Sequence, residues 1–241
     1  MADQNSVEQI PASLRTKLAQ VRNRIRNAAE IAGRRPDEIT LVAISKTHPI
    51  PVLEEAIREG ITDLGENRVQ EAQAKINTVG RNAVRWHLVG HLQANKARRA
   101  VQLFDVIHSV DSRPLVTRLD NICEEEQRAR LPVLLEVDLA GEISKAGVPE
   151  SDLRPLVKAV KASSHLELSG LMILPPYFEE AGEVRPYFRR LRELRNELRA
   201  DGYFEDGRGE LSMGMTHDFE IAIQEGATMV RIGTAIFGQR E

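Results

Sequence analysis

The chain has 241 residues, 33 lysines and arginines against 36 aspartates and glutamates, and a formal net charge of −3. A slightly acidic chain with few aromatic side chains lacks the basic surface of a nucleic-acid-binding protein, and it contains no run near the roughly 20 apolar residues that cross a bilayer. Its single cysteine, Cys123, excludes an internal disulfide and a zinc-ribbon site. The polar start of the chain has no apolar signal-peptide core, so we expect a cytoplasmic protein without nucleic-acid or membrane partners.

The first predicted element is a helix. Apolar residues from Ile10 to Ile31 recur every three or four positions, with arginine and lysine on the opposite face. Gly33 and Pro36 are typical of a helix end. We expect a single domain over residues 1–241, with residues 1–9 disordered.

Short apolar runs then alternate with helical patterns along the rest of the chain. The runs predict strands at Ile39–Ser45, Ile61–Leu64, Val84–Val89, Val106–Val110, Val133–Leu139, Leu166–Met172, Glu210–Met213 and Met229–Ile232. The patterns between them predict helices at Val52–Glu59, Val69–Val79, Lys96–Phe104, Pro114–Arg128, Asp152–Ser163, Arg185–Ala200 and Asp218–Glu225. Strands that are apolar on both faces are typical of a parallel sheet covered by helices.

Eight strand–helix units without a Pro/Gly-rich linker predict an α/β fold, a single (β/α)₈ barrel, whose usual length is about 250 residues. The competing fold is a doubly wound open sheet, which more often has about five or six strands and a GxGxxG turn after the first one. That turn is absent here. Because function in barrels gathers at the carboxyl ends of the strands, the residues there are the candidates.

Lys46 directly follows the first predicted strand. Partial removal from water disfavours the charged form of a lysine, so its amine becomes a better nucleophile. Such an amine can form a Schiff base with a carbonyl compound. The alternative is a strand-end lysine that extends into water.

Small residues end the seventh strand and follow the eighth, at the two places where barrels often hold a phosphate. Glycine lets the backbone approach an anion closely, and a neighbouring hydroxyl adds a hydrogen-bond donor. Ordinary turn chemistry explains these loops equally well. The residues concerned are Ser212, Met213, Gly214, Gly233 and Thr234.

Arg231 alternates with apolar neighbours, which predicts that it faces the barrel interior or its rim. A buried guanidinium needs an acceptor, such as a phosphate, a ring nitrogen or an internal carboxylate. A lysine together with phosphate-binding loops predicts a phosphorylated aldehyde or ketone as ligand. Pyridoxal 5′-phosphate (PLP) fits, and so does the sugar phosphate of a class I aldolase, which would also need an acid–base group such as Asp63 beside Lys46.

Six short segments form a distinctive set: Ser45–Thr47, Gly65–Asn67, Trp86–Lys96, Ser169–Met172, Leu211–Met215 and Arg231–Gly238. From about residue 10 to the C-terminus, the chain resembles the YggS/PROSC family of pyridoxal phosphate homeostasis proteins, and the last two segments are the most specific. The departures are small. Thr216 and His217 stand where serine and a carboxylate are commoner, and Asp138 stands where many members have asparagine.

The resemblance implies a barrel like the N-terminal domain of bacterial alanine racemase, the fold-type III class of PLP-binding proteins. It implies PLP held as a Schiff base on Lys46, with Arg231 near the pyridine nitrogen and Asn67 against the ring. It assigns the phosphate to the small-residue loops. The residues implied there are Ser212, Gly214, Gly233 and Thr234, with Met213 included in the cofactor-binding loop.

A permanently charged Arg231 disfavours protonation of the ring nitrogen and so weakens PLP as an electron sink. We also expect no second domain after Gly238 that would add a catalytic residue or exclude water. The expected function is therefore PLP homeostasis by a non-catalytic carrier or regulator, not an enzyme with robust turnover, with apo PLP-dependent enzymes as acceptors. A PLP-dependent racemase and an aldolase-like lyase remain the alternatives.

The other polar residues are weaker candidates. His87 and His91 lie on one face if the third strand continues to His91. A metal site would need His-x-His or a tight carboxylate set, which these residues do not provide, and we expect His87 to be a hydrogen-bonded barrel residue. Lys145 is expected at the rim, and Lys96–Arg99 at a polar helix start. No exposed heptad or long apolar stripe requires a dimer, so we expect a monomer.

Overall fold

The computed structural model describes residues 13–141, 146–204 and 209–238. The disorder expected for residues 1–9 and the rim position expected for Lys145 lie outside these ranges. Within them, no helix combines the length and the apolar character needed to traverse a bilayer.

In the described part of the chain, eight parallel strands form a closed barrel. They are β1 (Thr40–Ile44), β2 (Asp63–Glu66), β3 (Arg85–Leu88), β4 (Val106–Val110), β5 (Leu131–Asp138), β7 (Leu166–Met172), β8 (Glu210–Ser212) and β9 (Met229–Ile232). Each pairs with the next barrel strand, β9 pairs with β1, and the β4–β5 pairing completes the circle. A short strand, β6 (Val148–Pro149), pairs with the end of β5. The predicted (β/α)₈ barrel is confirmed.

Helices follow the strands as the sequence patterns predict. Those within the described residues are α1 (Leu14–Ile31), α2 (Ile50–Arg58), α3 (Val69–Val79), α4 (Ala97–Leu103), α5 (Arg113–Glu125), α6 (Glu150–Lys161), α7 (Arg185–Ala200), α8 (Phe219–Gln224) and α9 (Thr234–Phe237). Proline stands in the first turn of α2, α5 and α7, where its missing N–H removes no intrahelical bond. The helices predicted between strands are confirmed, with ends that differ by three residues or fewer.

The second strand differs from its prediction. The apolar run predicts Ile61–Leu64, but β2 runs from Asp63 to Glu66. Ile61 belongs to the turn after α2, where its N–H donates to a helix carbonyl. Glycine suits position 65 inside β2, because a Cβ there would lie 2.5 Å from the end of the Ile44 side chain and force it to shift. In addition, β5 begins two residues earlier than predicted, and β6 is an element that the sequence patterns do not reveal.

Apolar side chains fill two regions. The larger lies between strands and helices and contains Trp86, Phe104, Phe188 and Phe219. The smaller lies inside the barrel and contains Val42, Ile44, Val89, Val106, Leu134, Met172 and Met229. Side chains two positions apart on a strand share a face, so buried polar residues that follow Val106, Leu134 and Met229 by two positions also face the interior. These are His108, Glu136 and Arg231.

Candidate functional site

The predicted site residues converge at the carboxyl ends of neighbouring strands. β1 lies between β2 and β9, and Ile44 is opposite Gly65 in the β1–β2 register. Lys46 and Asn67 therefore leave the barrel at the same edge. Gly233 packs against this edge as well, because a Cβ at its position would lie 3.2 Å from the Ile44 carbonyl oxygen.

Lys46 is half-buried in a tight turn at the end of β1. The His48 N–H donates to the Ser45 carbonyl oxygen at 3.1 Å. Thr47 has a φ of 68°, in the left-handed region that β-branched residues rarely adopt, and its N–H donates to the Glu71 carboxylate. Hydrogen bonds on both sides of Lys46 therefore determine the path of its backbone.

A buried lysine on α3 stabilises this turn. The Lys75 ammonium group donates to the Ser45 carbonyl at 2.6 Å, to Glu66 Oε1 at 2.7 Å and to Glu71 Oε1 at 2.7 Å. The Ser45 hydroxyl donates to the same Glu66 oxygen at 2.6 Å. We call Ser45, Thr47, Glu66, Glu71 and Lys75 the Lys75 cluster.

The carboxylates of the Lys75 cluster depend on that one ammonium group. Burial raises the pKa of Glu66, although its hydrogen bonds from Lys75 and Ser45 oppose the shift. Burial also acts on Glu71, but the bonds from Lys75 and Thr47 outweigh it and lower the pKa of that carboxyl. Glu66 Oε2 is buried without a hydrogen-bond partner among the described residues, so Lys75 carries most of the charge compensation.

Arg231 on β9 is a buried cation, 3% exposed. Its Nη1 donates to Ser212 Oγ at 2.7 Å, and its Nη2 donates to the Ile173 carbonyl oxygen at 2.8 Å. Burial lowers the pKa of Arg231 to about 10, so the guanidinium stays charged at neutral pH. Its main-chain N–H donates to the Gly214 carbonyl at 3.0 Å, which joins the end of β8 to β9.

Glu136 on β5 is a second buried charged group in this region. It is 3% exposed, and its Oε2 has no hydrogen-bond partner within the described ranges. Burial, reinforced by the Asp111 carboxylate, raises the pKa of Glu136 to about 7 against the attraction of Arg231. At neutral pH this carboxyl is therefore close to half-protonated.

Two histidines connect Asp63 to Ser212 inside the barrel. His87 Nε2 lies 2.8 Å from Asp63 Oδ1, His87 Nδ1 lies 2.9 Å from His108 Nε2, and His108 Nδ1 lies 2.9 Å from Ser212 Oγ. Both imidazoles are completely buried, so the prediction of a hydrogen-bonded barrel role for His87 is confirmed. Burial lowers the pKa of His87 and takes that of His108 well below its usual value.

The structure separates two sets of residues that the sequence suggested as partners. Asp63 begins β2, at the opposite end of the barrel from Lys46, and its carboxylate accepts from the Thr62 hydroxyl at 2.7 Å as well as contacting His87. The suggested acid–base pairing of Asp63 with Lys46 is therefore wrong. His87 and His91 also do not share a face, because β3 ends at Leu88 and His91 lies near an aspartate on the next loop.

The loop after β8 packs closely against α8. Gly214 has a φ of 92°, and a Cβ there would lie 2.5 Å from the Ala222 Cβ. Only glycine fits this position. Met213 is completely buried, with its side chain in the core between strands and helices. Ser212 is also completely buried, and its hydroxyl contacts His108 and Arg231.

Comparisons with known proteins agree with this geometry. Residues 16–241 match the family described as alanine racemase, N-terminal domain. The chain is 42% identical over 233 residues to a pyridoxal phosphate homeostasis protein of Pseudomonas aeruginosa, covering 95% of this chain and 97% of that protein. It is 40% identical over 225 residues to one of Aquifex aeolicus, covering 93% and 97%. The chain belongs to the pyridoxal phosphate homeostasis protein family.

A solved structure supports the same family membership. PipY of Synechococcus elongatus PCC7942, with PLP bound, superposes with a TM-score of 0.82 at 37% sequence identity. The match covers 94% of this chain and 100% of the PipY chain. The resemblance of the six sequence segments to this family is therefore confirmed.

In this homeostasis-family protein, the predicted site residues lie at the carboxyl end of the barrel. Several residues that contact or surround them were not predicted from the sequence. The missed residues are Glu66, Glu71, Lys75, His108 and Glu136. Glu71 and Lys75 are four residues apart on α3, a spacing that signals a helical ion pair. Nothing in the sequence indicates that Glu66 and Ser45 join that pair.

Replacing Glu136 with glutamine should stabilise the protein at alkaline pH. The folded-state pKa of about 7 lies above the ordinary value of 4.5. As pH rises from 4.5 to 7, the unfolded chain releases this proton while the folded chain keeps it, so the wild type loses stability over that range and the loss levels off once the buried carboxyl has ionised. Glutamine mimics the neutral form. We expect Glu136→Gln to gain about 2–3 kcal/mol over the wild type at pH 8.5 and to show little difference near pH 5, measured by urea denaturation.

The matched control is Glu54→Gln, since Glu54 is exposed on α2. Its effect should stay within about 0.5 kcal/mol at both pH values. A Glu136→Gln variant whose stability relative to the wild type is the same at pH 5 and pH 8.5 would show that Glu136 does not titrate abnormally.

Proposed function

We propose that this protein binds PLP through Lys46 and serves in intracellular PLP homeostasis as a carrier or regulator. The observation that carries the proposal is the convergence of three features at one end of the barrel: the half-buried Lys46, the buried cation Arg231 and the small-residue loops containing Gly214 and Gly233. The names of the family relatives and the PLP bound to PipY support the proposal.

The donor set fits the three functional groups of PLP. The Lys46 amine suits an aldehyde, and the Arg231 guanidinium, which only donates, suits a ring nitrogen that accepts. The phosphate needs N–H and O–H donors, which we assign to the main chain of Gly214, Gly233 and Thr234 and to the Thr234 hydroxyl. Asn67 lies against the ring in this arrangement. When bound, PLP supplies an electrophilic aldehyde and an electron-withdrawing ring.

The charge on Arg231 favours binding of PLP without catalysis of a reaction on it. A guanidinium that stays protonated at neutral pH disfavours a second positive charge on the adjacent ring nitrogen. An unprotonated ring withdraws electrons less strongly, so the site stabilises negative charge on a bound amino acid poorly. We therefore propose a protein without robust catalytic turnover, and the position of Asp63 removes the acid–base residue suggested for the aldolase alternative.

We propose that the protein acts in the cytoplasm as a monomer and delivers PLP to apo forms of PLP-dependent enzymes. Large exposed apolar side chains, most of which lie at one end of the barrel, support contact with an acceptor protein there. In the described residues these are Ile31, Leu174, Tyr177 and Met215. The last three stand on the loops after β7 and β8, at the same end as Lys46, where an acceptor of the cofactor would have to make contact.

The proposal is tested by adding PLP to the purified protein and recording its absorbance spectrum. We expect a yellow band that sodium borohydride removes, and peptide mass mapping should then find one phosphopyridoxyl group on Lys46. Pyridoxamine 5′-phosphate, which lacks the aldehyde, is the control and should leave no adduct. The loaded protein should not racemise amino acids. A protein that stays colourless and takes up no PLP would contradict the proposal.

A further inference from the structure

A continuous chain of five polar side chains crosses the barrel interior. Arg231 Nη1 lies 2.7 Å from Ser212 Oγ, which lies 2.9 Å from His108 Nδ1. His108 Nε2 lies 2.9 Å from His87 Nδ1, and His87 Nε2 lies 2.8 Å from Asp63 Oδ1. None of the five residues is more than 9% exposed. We call this set the interior chain.

The two ends of the interior chain determine its direction. A carboxylate only accepts hydrogen bonds, so His87 must donate to Asp63 through Nε2–H. A neutral imidazole carries one N–H, so His87 Nδ1 accepts, and His108 must donate to it through Nε2–H. By the same step His108 Nδ1 accepts the proton of the Ser212 hydroxyl. The Ser212 oxygen in turn accepts from Arg231, which can only donate.

The surroundings of the interior chain favour these charge states. Burial, reinforced by the charge of Arg231, lowers the pKa of His108 well below its usual value, and burial also lowers the pKa of His87. Burial would raise the pKa of Asp63, but its hydrogen bonds with His87 and Thr62 outweigh that effect and lower it. At pH 7 the chain therefore holds two neutral imidazoles between an ionised carboxylate and a guanidinium.

We propose that Ser212 is a positioning residue for Arg231 and not a ligand of the PLP phosphate. Its one hydroxyl proton is committed to His108, so no donor remains for a phosphate oxygen, which is itself an acceptor. The Ser212 oxygen and the Ile173 carbonyl instead hold the two amino groups of Arg231. The guanidinium plane is thereby fixed. This inference rests on the proposed PLP site and reassigns a residue that the family resemblance places at the phosphate.

The direction of the interior chain is measured on the protein without PLP. Long-range ¹H–¹⁵N correlation spectra of ¹⁵N-histidine-labelled protein at pH 7.5 report which ring nitrogen carries the proton. We expect both His87 and His108 to be protonated on Nε2 alone. A proton on His108 Nδ1 would mean that His108 donates to Ser212, which frees the serine proton and overturns the assignment.

Comparing the binding of PLP and pyridoxal distinguishes a residue that positions Arg231 from one that binds the phosphate. Pyridoxal is PLP without its phosphate, so a phosphate ligand affects PLP binding alone, whereas a residue that positions Arg231 at the ring affects both ligands equally. We expect Ser212→Ala to weaken PLP and pyridoxal by the same factor, about tenfold, as for loss of a hydrogen bond to a charged group. Thr234→Val, at the proposed phosphate loop, should weaken PLP more than pyridoxal.

His165→Gln, at the amino end of β7, is the neutral control and should change neither affinity. Equal loss for both ligands in Ser212→Ala supports the proposal, whereas loss for PLP alone, or no loss, overturns it. If Ser212→Ala does not fold, the histidine spectra of the wild type still decide. If the wild type binds neither ligand, the proposed function is contradicted. The histidine spectra would then still test the direction of the hydrogen bonds in the interior chain.

Discussion

Replacing Lys46 with alanine is expected to abolish covalent attachment of PLP and to leave the fold intact. The side chain supplies the only amine that we assign to the aldehyde. The turn around it is held by main-chain groups and by neighbours, including the Thr47 N–H bond to Glu71 and the Thr47 hydroxyl bond to the Lys46 carbonyl at 2.6 Å. Alanine keeps these groups, so the melting temperature should change by no more than about 2 °C.

The measurement is borohydride reduction after incubation with PLP, followed by intact and peptide mass spectrometry. The wild type should gain one phosphopyridoxyl group and Lys46→Ala none. Lys158→Ala, on the exposed face of α6, is the matched control and should behave like the wild type. Lys96 lines the same cavity as Asn67, so a reduced adduct on Lys96 in the Lys46→Ala variant would overturn the assignment of Lys46.

The barrel follows from patterns that are local in the sequence. Val106–Val110, Leu166–Met172 and Met229–Ile232 are apolar runs bounded by turn residues, and each is a strand with the predicted limits. Val106–Val110 and Met229–Ile232 are buried along their whole length, as is typical of parallel strands covered by helices. The carboxyl ends of the strands then locate the site without any knowledge of tertiary contacts.

The second strand shows where local patterns fail. Glu66 is completely buried in β2, although a glutamate next to glycine does not favour a buried strand. Its burial depends on the Lys75 ammonium group on the following helix, at 2.7 Å. The hydrophobic pattern of the sequence does not show that the Glu66 charge has a partner in Lys75. The predicted strand therefore ends at Leu64, two residues before the end of β2.

The roles of side chains at the site are also set by distant partners. Ser212 and Met213 look alike as members of one small-residue loop, but the Met213 side chain packs into the core and the Ser212 hydroxyl meets His108, 104 residues earlier in the chain. Glu136 stands on the same face as Leu134, where an apolar residue is expected. The predicted strands give the positions of such residues, whereas their hydrogen-bond partners are known only from the closed barrel.

Replacing Lys75 with methionine is expected to cost about 3–5 kcal/mol of unfolding free energy at pH 8. Methionine fills similar space, but it leaves the Glu66 carboxylate buried with only the Ser45 hydroxyl as a hydrogen-bond donor. Because Glu66 can take up a proton and become neutral, the loss should be smaller at pH 6 than at pH 8. The measurement is urea denaturation at the two pH values, with Lys158→Met on exposed α6 as the control, expected within about 0.5 kcal/mol of the wild type.

The double variant Lys75→Met/Glu66→Gln separates lost packing from an unpaired charge. Glutamine removes the buried negative charge and still accepts from Ser45, so about half of the lost stability should return. If the double variant is no more stable than Lys75→Met, the unpaired Glu66 is not the cause of the loss. Because Lys75 also bonds the Ser45 carbonyl, immediately before Lys46, both variants should bind PLP more weakly than the wild type. Stability restored without restored PLP affinity would show that Lys75 orders the Lys46 turn in addition to neutralising Glu66.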